Sequence, residues 1–550
     1  MNASVKNKSY FLLVVLFLPL SNCAQPPENP VSNEPTSYAV PISTSITPGS
    51  FTLPTLTPPP TPAEQPVPST TAVVTLPTTE SPAVESNILS GLSSPPYLVY
   101  IKKIKDKEQV VLVNQDGSGI KTIPLPENGF NAGNPSPTGD WLVFYTGSGD
   151  EQTLPDGPKY DLALNLIHLP DGTIHKVTDL LSKDFPDSLE KLFEIIKKSN
   201  YPEIAQMDTV TLDSLARSAL IHSLLISKWS PSGEVLAFAG EMDGPSTDLY
   251  LYDLKTDNIR RLSSGSKNID FIDWFPDGNQ ILYSSSYLPC EGDCSTYYVT
   301  DLDGSNSREV KNFDTFGGDT SINDWSDNSI LTMFTRANVI GTCCLRNFDF
   351  ETDQLNILYE GSFENYAYDP HTDLLAISIK DSIENLLGIP PTSETKTIDP
   401  GTYFIDKNGM RKVEEAGSVY YLGWQNYPFI VSANGTKLLS PSGESKMLAE
   451  GELAPFASRS NRYVALCDST WSQNTNGLRV FDNNENLVLE IKDQKIIKVI
   501  WRIDSQGLFY VTDNQLYYIG IQDKTPVLID SHLNDSEFDT ENSLAFSWVR

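Results

Sequence analysis

From about Tyr97 onward the chain alternates short apolar runs with Pro, Gly, Asp and Asn turns, and the alternation repeats. One copy reads Lys228-Trp229-Ser230-Pro231-Ser232-Gly233-Glu234-Val235-Leu236-Ala237-Phe238, then Asp248-Leu249-Tyr250-Leu251-Tyr252-Asp253-Leu254. The next reads Asp273-Trp274-Phe275-Pro276-Asp277-Gly278-Asn279-Gln280-Ile281-Leu282-Tyr283, then Thr296-Tyr297-Tyr298-Val299-Thr300-Asp301-Leu302. Within a unit, a first segment ends in an aromatic residue and a turn, as at Trp229, Trp274, Trp325, Tyr368, Trp424 and Trp501. A second is apolar and β-prone, as in Trp141 to Thr146, Val235 to Gly240 and Leu508 to Thr512. A third alternates, and a Gly or Asn hairpin such as Asp303-Gly304 or Asn408-Gly409 leads to a fourth. Each unit therefore predicts four antiparallel strands. Self-similarity at a period of roughly 45 residues with short strands predicts a β-propeller.

The two ends of the repeat region complete one another. Ser543 to Val549 reads as a first strand with nothing after it, and Tyr97 to Ile101 as a second strand with no first strand before it. Joined, they make a composite blade that closes the ring and removes exposed sheet edges. Counted this way there are nine units, with first strands near Asn131, Leu225, Phe271, Ile322, Asn365, Tyr421, Phe456 and Ile500 after the composite one. Propellers usually stop at about eight blades. The expectation is a single all-β ring of about eight, between seven and nine, over residues 97–550.

The pattern breaks once, between Leu181 and His222. Asp187-Ser188-Leu189-Glu190 has capping-box spacing, and Leu189, Leu192, Phe193 and Ile196 share a helical face. A second helix is predicted over Leu212 to Ile221. The pair reads as a lid or strut packed on the propeller, or as a docking element for a partner. In a four-stranded blade, the links from strand two to three and from blade to blade emerge on one face. The predicted long loops, Gly147 to Lys159, Tyr287 to Ser295, Asp381 to Gly401 and Ser469 to Asn476, all fall in that class. The turns of the opposite face are uniformly short. Function is expected on the loop-bearing face.

The N-terminal 96 residues differ in kind. Lys6 and Lys8 precede an apolar run from Phe11 to Leu20, which is too short to span a bilayer as a stable helix. With the following Leu20-Ser21-Asn22-Cys23 it resembles a bacterial lipoprotein signal, which implies cleavage after residue 22, lipidation of Cys23 and anchoring in a membrane; Asn22 departs from the usual small residue. Residues 23–96 are rich in Pro, Thr and Ser, without Lys or Arg after Cys23. Such a stretch buries too little apolar surface to offset its ordering entropy and reads as a disordered tether.

The Trp-Ser-Pro-Ser/Asp-Gly…Leu-Ala-Phe…Leu-Tyr-x-x-Asp-Leu pattern resembles the repeat of TolB-type propellers of periplasmic and secreted bacterial proteins. It is clearest over Ser227–Arg308, weaker over Asn131–Asp179 and Ser321–Asp349, and weakest afterwards. The resemblance implies fold and compartment, and carries over no catalytic residue, because the matching positions are turn and core residues.

Composition narrows the chemistry. A formal charge of −32 repels nucleic acid and anionic headgroups, and most simply describes a solvated extracellular surface. In an oxidising compartment Cys290 and Cys294 are disulfide candidates with each other or, across blades, with Cys343 and Cys344; Cys467 reads as a buried thiol. No Gly-x-Ser-x-Gly elbow is present, and His168, His175, His222, His371 and His532 lack metal-ligand spacing. Asp301-Leu302-Asp303-Gly304-Ser305-Asn306 looks like a calcium loop without its later glutamate and coincides with a repeat hairpin, so a plain turn is expected. No metal and no cofactor is expected. The resulting expectation is a non-catalytic protein of the cell envelope, lipid-anchored on the extracytoplasmic side (periplasmic or cell-surface), that binds a protein or cell-wall ligand. The rival is an envelope enzyme, such as a glycan-cleaving propeller with acidic residues at the channel mouth.

Overall fold

In a computed structural model the chain divides into Met1–Thr70 and Thr71–Arg550. The structure describes residues 73–74 and 96–549, apart from 105–106, 134, 155–156, 183–184, 199–206, 245, 266, 287–294, 312, 314–318, 327–328, 336–341, 370–373, 380–397, 407–408, 421–423, 425–426, 441, 469–475, 513 and 534–545. Nine antiparallel sheets, each built on four strands, follow one another along the chain as the blades of a propeller. Nine is the upper end of the expected range.

Blade 1 is the composite one. The last strand, Phe546–Val549, pairs with Tyr97–Ile104, which pairs with Lys107–Asn114 and that with Ile120–Pro124. Blades 2 to 9 then begin at Gly129–Phe130, Ser227–Trp229, Asn268–Trp274, Asp319–Ser326, Asn365–Asp369, Ser418–Tyr420, Leu453–Ala457 and Lys498–Trp501. Each expected first strand falls within a few residues of these.

The burial of each strand explains its composition. Second strands are covered by a neighbouring blade on both faces and read as unbroken apolar runs. Tyr463–Asp468 and Gly507–Val511 are buried at every position. Outer strands have an open edge and are mostly exposed, as in Ser445–Ala449 and Gly409–Glu414. Adjacent blades meet through separate apolar clusters, one at each of the nine interfaces. The cluster that closes the ring joins Leu98, Tyr100 and Val111 of blade 1 to Phe509, Val511 and Leu516 of blade 9. The outer edge of blade 8 carries a fifth strand, because Val73–Val74 pairs in parallel with Glu490 and Ile491. Those two residues belong to the segment read as a tether; apart from Pro96, the rest of it lies outside the described residues.

The helical insertion forms α1, Phe185–Lys198, and α2, Thr209–Leu224. α1 begins two residues before Asp187, so Asp187 lies in the first turn rather than at a cap. The cap that forms is Asp208, whose carboxylate accepts from Thr211 N–H at 2.8 Å and fixes the start of α2. No helix among the described residues is long and apolar enough to cross a membrane.

Candidate functional site

Among the described residues, the loop-bearing face is built up around blades 2 to 4. Gly147 to Lys159, expected as a loop, instead prolongs the second and third strands of blade 2. The hairpin pairs Glu151 with Tyr160 and Leu154 with Gly157 beyond a bulge after Gly147. Tyr287 to Ser295, Asp381 to Gly401 and Ser469 to Asn476 lie largely outside the described residues.

Between blades 2 and 3 stand the two helices. Phe185, Leu189 and Leu192 of α1 pack against Leu212, Ala216 and Leu220 of α2. Leu224 at the end of α2 enters the core between blades 2 and 3, and α2 runs beside the strands Val235–Gly240 and Asn268–Trp274. The pair is fastened by Glu241, which is fully buried. Its carboxylate accepts from Ser182 N–H at 3.0 Å, Ser182 Oγ at 3.0 Å and Ser188 Oγ at 2.6 Å. Three donors satisfy a charge that would otherwise be costly to bury. The apolar faces of the helices are thus turned to each other and to the blades. Among the described residues of the insertion, Val210 is the large apolar side chain left exposed.

A cavity of about 460 Å³ opens between blades 3 and 4 beneath the link that carries Ser263, Ser264 and Lys267. Blade 4 supplies Tyr283 and Tyr298, paired across adjacent strands with ring centroids 5.2 Å apart and planes at 20°. Blade 3 supplies Asp248, only 2% exposed, whose carboxylate accepts from Arg261 Nη2 at 2.5 Å and from Ser263 Oγ at 3.2 Å. Arg261 also donates Nε to the Ser263 carbonyl at 2.7 Å, so arginine, link and carboxylate hold one another in place. Burial lifts the Asp248 carboxyl to about 6, against the opposing pull of Arg261 and Ser263. Lys267 donates to Thr296 Oγ1 at 2.7 Å, and Glu309 lies exposed at the cavity rim.

A second cavity, of about 720 Å³, lies on the short-turn side among Pro135 to Thr138, Pro231, Ser232, Arg459 and the closing strand at Phe546 to Trp548. No carboxylate belongs to its described lining, and Arg459 is the charged side chain there. The acidic gathering expected for a glycan-cleaving site is therefore not found in this lining. Two carboxylates, Asp248 and Glu309, line the blade 3–4 cavity.

The other residues singled out by sequence are dispersed. Cys23, Cys290 and Cys294 lie outside the described residues. Cys343 and Cys344 open the strand Thr342–Asp349, where Cys343 pairs with Phe334 and Ser362, and only their backbone is described. Cys467 is a free, fully buried thiol whose ionisation burial pushes well up. His168 meets Asp171 at 2.9 Å, and His175 meets Asp257 at 3.2 Å and Tyr252 at 3.0 Å. Among the described residues no three His, Cys, Asp or Glu side chains gather as a metal site would require. The Asp301–Asn306 segment is a hairpin turn whose carboxylates are taken by its own groups and, at Asp301, by Gln280 Nε2 at 2.8 Å. Asn306 Nδ2 donates to Asp301 at 2.7 Å and Ser305 N–H to Asp303 at 2.8 Å, and these bonds hold both carboxyls below the usual range.

No protein-family model matches this chain, and no curated protein sequence matches it significantly. Among solved structures it is similar to a eukaryotic initiation factor at 12% identity, covering 83% of this chain and 99% of that one, with a TM-score of 0.45. It is similar to Porphyromonas gingivalis dipeptidyl peptidase 4 at 10% identity, covering 75% of this chain and 64% of that one, with a TM-score of 0.41. TolB from Acinetobacter baumannii aligns at 14% identity, over 59% of this chain and 65% of that one, with a TM-score of 0.28. Likenesses this distant carry nothing about the activity of this chain.

Proposed function

We propose that this protein is a lipid-anchored binding protein of the cell envelope, held through Cys23 and a Pro-rich tether, that recognises a protein or cell-wall ligand without transforming it. The observation that carries the reading is an asymmetry among the described residues. The buttressed helical pair, the prolonged blade 2 hairpin and the blade 3–4 cavity occupy one sector of one face, while the described first-to-second-strand turns opposite are tight. Rigid scaffolds present variable elements for recognition in this way.

A second reading is supported by Asp248. A carboxyl near 6 that shares a cavity with an exposed Glu309 is a pairing that glycan-cleaving enzymes use. Against it stands the Arg261 bond, which favours the ionised form of Asp248 and opposes its use as a proton donor.

The test is capture from solubilised envelope by the full chain, beside a chain whose Leu181–His222 segment is replaced by a short linker. A partner held by the first and lost by the second, with the same unfolding midpoint for both rings, supports the binding reading. Release of reducing ends from an envelope glycan would replace it with the enzymatic one.

A further inference from the structure

We propose that the cavity between blades 3 and 4 is a subsite for one or two rings of a neutral saccharide. This rests on the reading of the loop-bearing face as a recognition surface and names the ligand class for its pocket.

The lining has two chemically different walls. On blade 4, Tyr283 and Tyr298 are register partners on adjacent antiparallel strands, and their rings stack on each other on the face turned to blade 3. The less buried ring of the stack, Tyr298, offers an aromatic face suited to the C–H face of a pyranose. On the blade 3 side are Asp248, Ser263 and Ser264, with Lys267 farther along the link. Asp248 uses both oxygens in holding Arg261 and Ser263, yet an ionised carboxylate has about four lone-pair sites, so acceptor capacity remains for a ligand hydroxyl. Ser285 and Ser307 add hydroxyls that both donate and accept. A sugar ring presents this same combination of an apolar face and an equatorial belt of hydroxyls.

Charge and size exclude the main competitors. The cavity mixes two carboxylates with one ammonium inside a chain of net charge −32, which opposes phosphate, nucleotide and anionic headgroups. The polar lining has little to offer an acyl chain. At about 460 Å³ the space lies within the usual range for small-ligand pockets and is too small for a folded partner. The part-buried Asp248–Arg261–Ser263 bonding fixes the blade 3 wall in advance, so little ordering entropy is lost when a ligand enters.

The experiment is titration calorimetry of the full chain with maltotetraose, cellotetraose and tetra-N-acetylchitotetraose, with inorganic phosphate as the anionic comparison. The expected result is one-to-one binding of at least one saccharide and none of phosphate. Affinity should fall about tenfold in Tyr298→Ala and survive in Tyr298→Phe, which keeps the ring. Glu309→Gln at the exposed rim provides a second variant whose folding is not at risk, with an expected loss of about threefold to tenfold. Saccharide binding that is unchanged in both Tyr298→Ala and Glu309→Gln would overturn the assignment to this cavity. If no saccharide binds while the full chain still captures an envelope partner, the ligand class is wrong and the binding-module reading stands. If neither occurs, both fail.

Discussion

The indole Nε1 of Trp548 donates to the backbone carbonyl of Trp501 at 2.9 Å, tying the last strand of the chain to the first strand of blade 9. The same bond recurs where Trp274 donates to Lys228 O at 3.0 Å and Trp501 to Phe456 O at 2.8 Å. The paired residues lie 47, 46 and 45 positions apart, so the repeat period is also the spacing of a hydrogen bond between neighbouring blades. At Trp325 the acceptor is the Asp273 carboxylate instead, at 3.0 Å.

Trp548→Phe keeps most of the ring and removes the donor. The expected loss is about 1 kcal/mol, one net hydrogen bond. Trp548→Ala also empties space beside Phe509 and should cost about 3 kcal/mol. Urea unfolding of the three chains checks both values.

Gly233 and Gly278 have nearly the same backbone conformation, with φ of +74° and +72°, but different surroundings. A Cβ on Gly233 would sit 2.9 Å from the backbone nitrogen of Thr138 in the neighbouring turn, while on Gly278 the nearest atom is 3.5 Å away. Gly278→Ala should therefore cost about 1–2 kcal/mol in conformational strain alone. Gly233→Ala should cost about 1–3 kcal/mol more from overlap with a backbone that cannot swing aside. Thermal unfolding of the pair separates the two contributions.

Glu241 holds the insertion by three hydrogen bonds. Glu241→Ala removes these three bonds from a fully buried site and should destabilise the protein by about 2–4 kcal/mol. Amide exchange should accelerate first in Phe185–Lys198, while the strands of blades 6 to 9 keep their protection. Uniform acceleration around the ring would contradict a local fastening role.

Asp248 gives a pH dependence of definite sign. Its folded pKa of about 6 lies above the ordinary 3.8, so between those values the folded chain keeps a proton that the unfolded chain has lost. The stability contributed by this residue is fully present below about pH 4, falls as pH rises toward 6, and is flat above. Asp248→Asn removes the titration. The stability of the natural chain minus that of Asp248→Asn should decrease by about 1–2 kcal/mol between pH 4 and pH 7.

The propeller was legible because its signals are local. Turns such as Pro276-Asp277-Gly278 and apolar second strands such as Val235 to Gly240 follow from burial on both faces and from tight hairpins. The closing pair was legible because each end lacked the strand that the other supplied. The site was not legible, because its contacts are tertiary. Asp248 reads as the first residue of an ordinary third strand, and nothing at Arg261 or Ser263 shows that a buried carboxylate faces them. Glu241 reads as a surface residue after Gly240, yet its partners, Ser182 and Ser188, lie more than fifty positions earlier. Gly147 to Lys159 read as a loop because its glycines and acidic residues conceal the register that pairs Glu151 with Tyr160.

The most direct test of the account is amide hydrogen exchange on the full chain with and without soluble cell-wall glycan fragments. Added protection is expected on the loop-bearing sector, in α2, at 242–249 and at 262–269, and none in the turns at 136–139, 231–234 and 458–461. Protection confined to those turns would place the ligand on the opposite face, among Arg459 and Trp548, and contradict the account.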